Sequence, residues 1–248
     1  MEAQEKKWTL TIWPERVYHA LIAVEIVLVA LSLLSQYVRM YPSLFGAQFP
    51  QLAHYFVVEF DVNAEANFPT FYSVSMAIAA SFLLFVIAYL KSNVRDKYRF
   101  HWFALALLLL YISLDDASVI HEKTSKYIKG FSDLGGWFEY KWVIVGLAVV
   151  LILGISFFRF WLHLDNKSKI LFLVSGALFF GGAVGVEMIG GHWAYSNGTK
   201  NFIYVLFTTL EQSLQYLGIA TLVYTLMFYI RSYFSFFSVD MTGFSKNV

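Results

Sequence analysis

Acidic and histidine side chains gather near one end of three apolar segments of the sequence. Asp115 and His121 lie in YISLDDASVIHE, Glu187 and His192 in GAVGVEMIGGHW, and Glu211 in FTTLEQSLQYLG. The chain has no cysteine, so a metal site would have to use imidazole and carboxylate ligands, which suit zinc, iron and manganese. The sequence therefore predicts a divalent metal centre with the ligands His121, His192, Glu187, Asp115 and Glu211.

Such a centre would also need a group that accepts a proton from metal-bound water. A bound metal ion lowers the pKa of its water toward ~7, and Glu122 and Glu211 are the candidate catalytic bases. One alternative is an ion-paired cluster without metal, neutralised by Lys123, Lys126 or Lys141. Another is haem held between His121 and His192.

Helical phase, at ~100° per residue, tests which of these groups share a face. Asp115, His121 and Glu122 fall within one sector of about 120° if the helix continues through them, whereas Asp116 lies outside it. The last apolar segment has a polar stripe, and the fifth has small residues at four-residue spacing, which predicts close helix packing. The polar stripe is Thr208, Glu211, Gln215 and Gly218, and the small residues are Ala177, Gly181 and Gly185.

A second candidate site lies in FDVNAEANFPT, where oxygen-bearing side chains alternate with other residues. Their spacing partly matches the start of a calcium-binding EF-hand loop. The alternative is that Asn67 or Thr70 caps the helix that follows. The candidate calcium ligands are Asp61, Asn63, Glu65 and Asn67.

The elements that carry these groups are predicted from composition and hydropathy. Of the 248 residues 58% are hydrophobic and only 14% are charged, which is far more apolar than soluble domains. A net charge of +1 gives no reason to expect nucleic acid. Six windows are long enough to cross a ~30 Å hydrocarbon core. They are residues 17–37, 71–90, 100–120, 142–162, 170–193 and 202–230.

The sequence thus predicts an all-α, polytopic membrane bundle, with residues 1–248 forming a single domain. Twelve of the 18 Lys and Arg residues lie on the side of the N-terminus. By the positive-inside rule both termini are predicted to be cytoplasmic. QLAHYFVVEF, between the first two spans, is predicted to be a short interfacial helix. The mid-span carboxyl Glu25 is predicted to be paired across helices or to act in a proton relay.

Two resemblances follow from LDDASVIHE and FDVNAEANFPT. The pair resembles a family of bacterial multi-pass membrane proteins with an LDE-type acidic pair followed by HE. The chain also resembles, less closely, the alkaline ceramidase-like membrane hydrolases. That resemblance implies a calcium-binding acidic segment and a buried zinc site, but this chain lacks their His-x-x-x-His in the last span and has six spans rather than seven. The residues that match this pattern are Asp61, Glu65, Asn67, Ser73, Asp115 and His121.

The functional hypothesis is a metal-dependent membrane enzyme of the hydrolase type, with an oxidoreductase as the alternative enzyme class, located in a bacterial inner membrane. Its polar site would lie at the depth of lipid headgroups, so the predicted substrate is a lipid or another lipophilic molecule of the outer leaflet. The predicted cofactor is zinc, iron or manganese, with calcium at the second site. The alternative functions are an ion- or proton-coupled transporter or channel, and a non-catalytic subunit of a larger membrane complex. The predicted partners are membrane lipids and either further copies of the chain, as a homo-oligomer, or the other subunits of a complex.

Overall fold

The computed structural model describes residues 13–45, 49–120, 123 and 136–234. Within these ranges the chain is helical and contains no strand. The helices are α1 (Pro14–Met40), α2 (Pro42–Phe45), α3 (Pro50–Phe60), α4 (Phe68–Asn93), α5 (Arg99–Ser118), α6 (Trp142–His163), α7 (Asn166–Phe180), α8 (Glu187–Asn197) and α9 (Phe202–Tyr233), with a 3₁₀ turn at Gly136–Phe138 and a π-helical turn at Gly181–Val186.

Local sequence explains where the long helices begin. Pro14 stands in the first turn of α1, where its missing N–H costs nothing. The side chains of Asn67, Asp165 and Asn201 cap α4, α7 and α9 by accepting hydrogen bonds from backbone N–H groups of the first turn. Helices satisfy their own backbone hydrogen bonds, which is a condition for crossing lipid.

Six helices in the described part of the chain are long and apolar enough to span a membrane, counting Asn166–Asn197 as one span. This confirms the predicted all-α architecture and identifies an integral membrane protein. The third predicted span differs at its end: α5 stops at Ser118 because Val119 adopts a left-handed backbone conformation, with φ of 59°. The segment predicted as an interfacial helix forms α3.

Helix α9 is the centre of the bundle. It packs against α1, α4, α7, the π-helical turn and α8, whereas α5 packs mainly on α4 and α6 lies at the periphery. We call the end of the bundle at Phe68, Ser118, Trp142, Asn197 and Phe202 the outer end, following the predicted orientation, and the opposite end the inner end.

Candidate functional site

A cavity of about 670 Å³ lies in the outer half of the bundle, bounded by α4, α5, α6, α9, the π-helical turn and the loop before α4. We call it the upper cavity. Three of the residues predicted as metal ligands, Asp115, Glu187 and Glu211, line it. Its acidic lining residues, drawn from separate parts of the chain, are Glu65, Asp115, Asp116, Glu139, Glu187 and Glu211.

Glu211 on α9 and Glu187 at the start of α8 form a carboxyl pair. The two side chains lie close enough to interact directly, and Gln215 Nε2 donates a hydrogen bond to Glu211 Oε1 at 3.0 Å. Glu211 is only 8% exposed. Two neighbouring carboxyl groups repel one another when both are charged, so such a pair favours holding one proton between them.

The π-helical turn before α8 brings this pair together. Gly182, inside that turn, packs so closely on α9 that a Cβ atom there would lie 2.6 Å from the Glu211 carbonyl oxygen. Gly218 makes the matching approach from α9 to α7, where a Cβ atom would lie 2.7 Å from Phe179 N. The prediction that Gly181 and Gly185 form the close contact is therefore wrong, since a Cβ atom on either would meet no other atom within 4 Å.

A second carboxyl of the upper cavity is tied to α4. The Ser73 hydroxyl donates a hydrogen bond to Asp116 Oδ2. Tyr216 of α9 also lines the cavity. Asp116, Tyr216 and Glu211 therefore all face the same space.

Phenol groups stand on the outer side of the carboxyl pair. The hydroxyl oxygens of Tyr140 and Tyr204 are 2.6 Å apart, and both residues line the upper cavity. Burial raises the pKa of Tyr140, and the nearby charges of Glu187 and Glu139 raise it further. Tyr140 therefore keeps its proton at neutral pH and can donate a hydrogen bond to a bound ligand.

His192 lies outside the upper cavity. Its ring stacks on Trp137 with a centroid distance of 4.5 Å and an interplanar angle of 9°, and the residue is exposed. The irregular turn ends before Glu187, and the chain is a regular helix from Glu187 to Asn197, so His192 lies ~140° around the helix from Glu187.

The other two predicted residues of this site, His121 and Glu122, lie outside the described residues. Within the described part of the chain, no three His, Asp or Glu side chains are grouped closely enough to hold a metal ion. The divalent metal therefore stays a prediction.

Two of the residues predicted as calcium ligands, Asp61 and Asn67, form hydrogen bonds and an ion pair with other residues of the protein. Asp61 forms an ion pair with Arg39, at 3.1 Å, and accepts a hydrogen bond from the Asn63 backbone N–H. Asn67 accepts from Thr70 N at 3.1 Å and donates to the Asp61 carbonyl oxygen at 2.7 Å. This confirms the capping role of Asn67, while Glu65 belongs to the lining of the upper cavity.

Several lining residues were missed by sequence reasoning. Asp116 was predicted to lie outside the acidic face because it is about 100° from Asp115 on the helix, but both residues line the cavity, which takes in more than one face of α5. Nothing in the sequence distinguishes Tyr140 and Tyr204 from the other tyrosines, since the chain has 16 of them. Only the packing of α8 and α9 against the segment before α6 selects these two.

Comparison with known proteins gives one match. The family model described as "Domain of unknown function (DUF8692)" matches residues 20–229. No curated protein and no solved structure matches the chain.

Proposed function

The chain belongs to the DUF8692 family, and we propose that it is a membrane-embedded enzyme of the hydrolase type that cleaves an ester or amide bond in a lipophilic substrate. The observation that carries this proposal is the close pair of carboxyl groups of Glu187 and Glu211 in the wall of a large cavity. Two carboxyls that share one proton are a known arrangement for activating water, as in aspartic proteases.

The chemistry requires only the pair and one water molecule. The unprotonated carboxylate takes a proton from water, whose oxygen attacks the carbonyl carbon, while the protonated carboxyl donates its proton to the carbonyl oxygen. The C–O or C–N bond of the tetrahedral intermediate then breaks, and the carboxyl that took the proton from water gives it to the departing alcohol or amine. A hydroxyl group of the intermediate returns its proton to the other carboxylate as the carboxylic acid product forms, which restores the pair. Gln215 holds Glu211 in place through its 3.0 Å hydrogen bond, and the Tyr140 hydroxyl is a further donor for the developing oxyanion.

The position of the cavity supports a lipophilic substrate. Tyr111 of α5 and Val145 of α6 line the upper cavity, yet they are 55% and 46% exposed. Both belong to predicted spans, so their exposed surface faces lipid rather than water. A substrate can therefore enter sideways from the bilayer between α5 and α6.

The predicted divalent metal would assist the same reaction by polarising the carbonyl oxygen. Asp115 and Asp116 stand at the outer end of α5, directly before His121 and Glu122 in the sequence. Elemental analysis of the purified protein decides whether the reaction needs this ion. Acid–base chemistry by the carboxyl pair does not depend on it.

The test measures hydrolysis in nanodiscs made from a polar lipid extract in ¹⁸O-labelled water. We expect released carboxylic acids to carry ¹⁸O, and Glu211→Gln or Glu187→Gln to lower the rate by at least about 100-fold, because either change removes one half of the acid–base pair. Glu15→Gln is the matched control, since Glu15 is an exposed carboxyl of the inner end. Absence of labelled acids with the unaltered protein, or equal rates in all variants, would contradict the proposal.

A second candidate function is proton-coupled transport, favoured by Glu25. This residue of α1 is 8% exposed, and its Oε2 atom has no hydrogen-bond partner among the described residues. It interacts electrostatically with Tyr72 and with Tyr216, which lines the upper cavity. Buried carboxyls at such positions often carry protons. Proton flux in proteoliposomes that disappears with Glu25→Gln would favour transport over hydrolysis.

A further inference from the structure

A second cavity of about 180 Å³ lies on the inner side of the upper cavity, between α4, α5, α6, α7 and α9. We call it the lower cavity. The two cavities adjoin, since five side chains line both of them. These shared lining residues are Leu108, Ile112, Phe179, Phe180 and Ile219.

The lower cavity is lined almost entirely by hydrocarbon. Ser175 carries its single polar side chain, and that hydroxyl donates a hydrogen bond to the Gly218 carbonyl oxygen at 2.8 Å. No lining side chain is thus left to bind water, and cavities of this kind stay dry or hold apolar ligands. The space therefore suits a hydrocarbon chain.

The arrangement of α5 and α6 gives this space a closed inner end. Trp102 of α5 contacts Phe160 of α6 at a centroid distance of 4.9 Å, and His101 contacts Phe157 at 5.5 Å. Toward the outer end the two helices line opposite walls of both cavities. From Asp115 to Leu105 the cleft runs along ten residues of α5, or about 15 Å.

The charge of the upper cavity indicates the chemistry of the ligand's head group. Six carboxyl groups line it, and Lys141 is the one cationic side chain among its described lining residues. Carboxyl groups therefore outnumber cationic side chains among the described lining residues. Tyr111, Trp142 and Tyr216 add aromatic surface, which also attracts cations.

We propose that the joined cavities bind one single-chain amphiphile with a cationic amine head, its head among the carboxyls of the upper cavity and its hydrocarbon chain in the lower cavity. This deepens the proposed function, on which it rests, by naming the class of substrate. The hydrolysed bond would join the chain to an amine-bearing head, at the level of Glu187 and Glu211.

The experiment uses a C12 primary amine with a diazirine at the end of its chain, photoactivated with the full-length protein in phosphatidylcholine nanodiscs. We expect peptide mass spectrometry to locate labels on α5, α6 and α7 around the lower cavity. Unlabelled dodecylamine should compete for labelling at least tenfold better than dodecanoate, because the two share a chain and differ only in the charge of the head.

Gly176→Phe tests the position of the chain. Gly176 lines the lower cavity, and a Cβ atom there meets no atom within 4 Å, so a phenyl ring can enter the cavity without displacing the backbone. We expect labelling to fall at least tenfold. Gly154→Phe is the matched control: its Cβ is equally unhindered, but Gly154 lines neither cavity.

Leu153→Trp, which also fills the lower cavity, replaces Gly176→Phe if that variant does not fold, with the exposed neighbour Ile152→Trp as its control. Labelling that is as strong in the cavity-filling variant as in the unaltered protein, or equal competition by dodecanoate and dodecylamine, would overturn the inference. The probe has no ester or amide bond. Binding of the probe is therefore measured independently of hydrolysis. If the protein does not hydrolyse its substrate, the labelling results are unchanged.

Discussion

The carboxyl groups of Asp61, Asp116 and Glu211 have different partners, and the partner determines what each group can do. Asp61 forms an ion pair with Arg39 and fixes a loop. Asp116 accepts a hydrogen bond from Ser73 and ties α5 to α4. Glu211 lies beside a second carboxyl group, that of Glu187, which is why we assign acid–base chemistry to this pair.

At the same scale, Asp165 shows a carboxylate with a purely structural role at the inner end. Burial acts to raise its pKa, but hydrogen bonds from Ser168, Tyr233 and the backbone outweigh burial and lower it. Asp165 Oδ1 accepts from the backbone N–H groups of Lys167 and Ser168, at 3.1 and 3.0 Å, and so caps α7.

We predict that Asp165→Ala lowers the free energy of unfolding by about 1 kcal/mol at neutral pH, because the helix cap is lost. A lowered pKa means that this stability is present above the ordinary pKa of aspartate and disappears as the pH falls through the lowered value. Thermal unfolding in detergent at neutral pH and at about pH 3 should show the difference between wild type and variant shrinking. Asp165→Asn keeps an acceptor, and a loss as large as that of alanine would contradict the capping role.

At the scale of elements, the π-helical turn is the feature that shapes the site. It changes which glycine of the fifth span faces α9: Gly182 makes the contact, although the four-residue spacing of Ala177, Gly181 and Gly185 predicted otherwise. π-helical turns inside α-helices often occur at functional sites. Here the turn lies directly before Glu187 and against the backbone of Glu211.

We predict that Gly182→Ala lowers the free energy of unfolding by about 1–3 kcal/mol, because the added methyl group must push α9 away. The neighbouring variant Gly181→Ala is the control and should be neutral or stabilising by up to about 1 kcal/mol, since alanine favours a helix and meets open space there. Denaturation in mixed micelles compares the two. Equal destabilisation by both would show that the turn does not select Gly182.

At the scale of the whole molecule, five of the six spans line an acidic cavity at one end of the bundle, and an aromatic cluster closes the other end. Trp102, Phe160 and Tyr229 form part of that cluster, with Trp102 contacting both of the other rings. The proposal that a lipid enters between α5 and α6 requires the acidic end to lie at one particular membrane surface. The distribution of Lys and Arg predicts the non-cytoplasmic surface, and the bacterial inner membrane stays a prediction.

We predict that Asn197→Cys is labelled by a membrane-impermeant maleimide in intact cells and that Lys97→Cys is labelled only after permeabilisation. The chain has no native cysteine, so each variant presents a single thiol, and both positions are exposed. The reverse pattern would place the acidic cavity at the cytoplasmic surface and move the proposed substrate to the inner leaflet.

The sequence by itself determined the spans, because a bilayer demands about 20 apolar residues per crossing whatever the packing. It also located Asp115, Glu187 and Glu211 at similar depth, since depth follows from counting residues along a helix at 1.5 Å each. These are one-dimensional properties of the chain. The polar stripe of α9 belongs to the same class, and Glu211 and Gln215 both line the cavity as that stripe predicts.

Only the tertiary structure decided which of these groups meet. Asp116 lines the cavity together with Asp115, α5 ends at Ser118 before His121, and the π-helical turn lies with Gly182 against α9 while His192 stacks on Trp137. Such outcomes depend on helix irregularities of a single residue. One extra or missing residue rotates all later side chains by about 100°, and periodicity calculated from a regular helix cannot anticipate it.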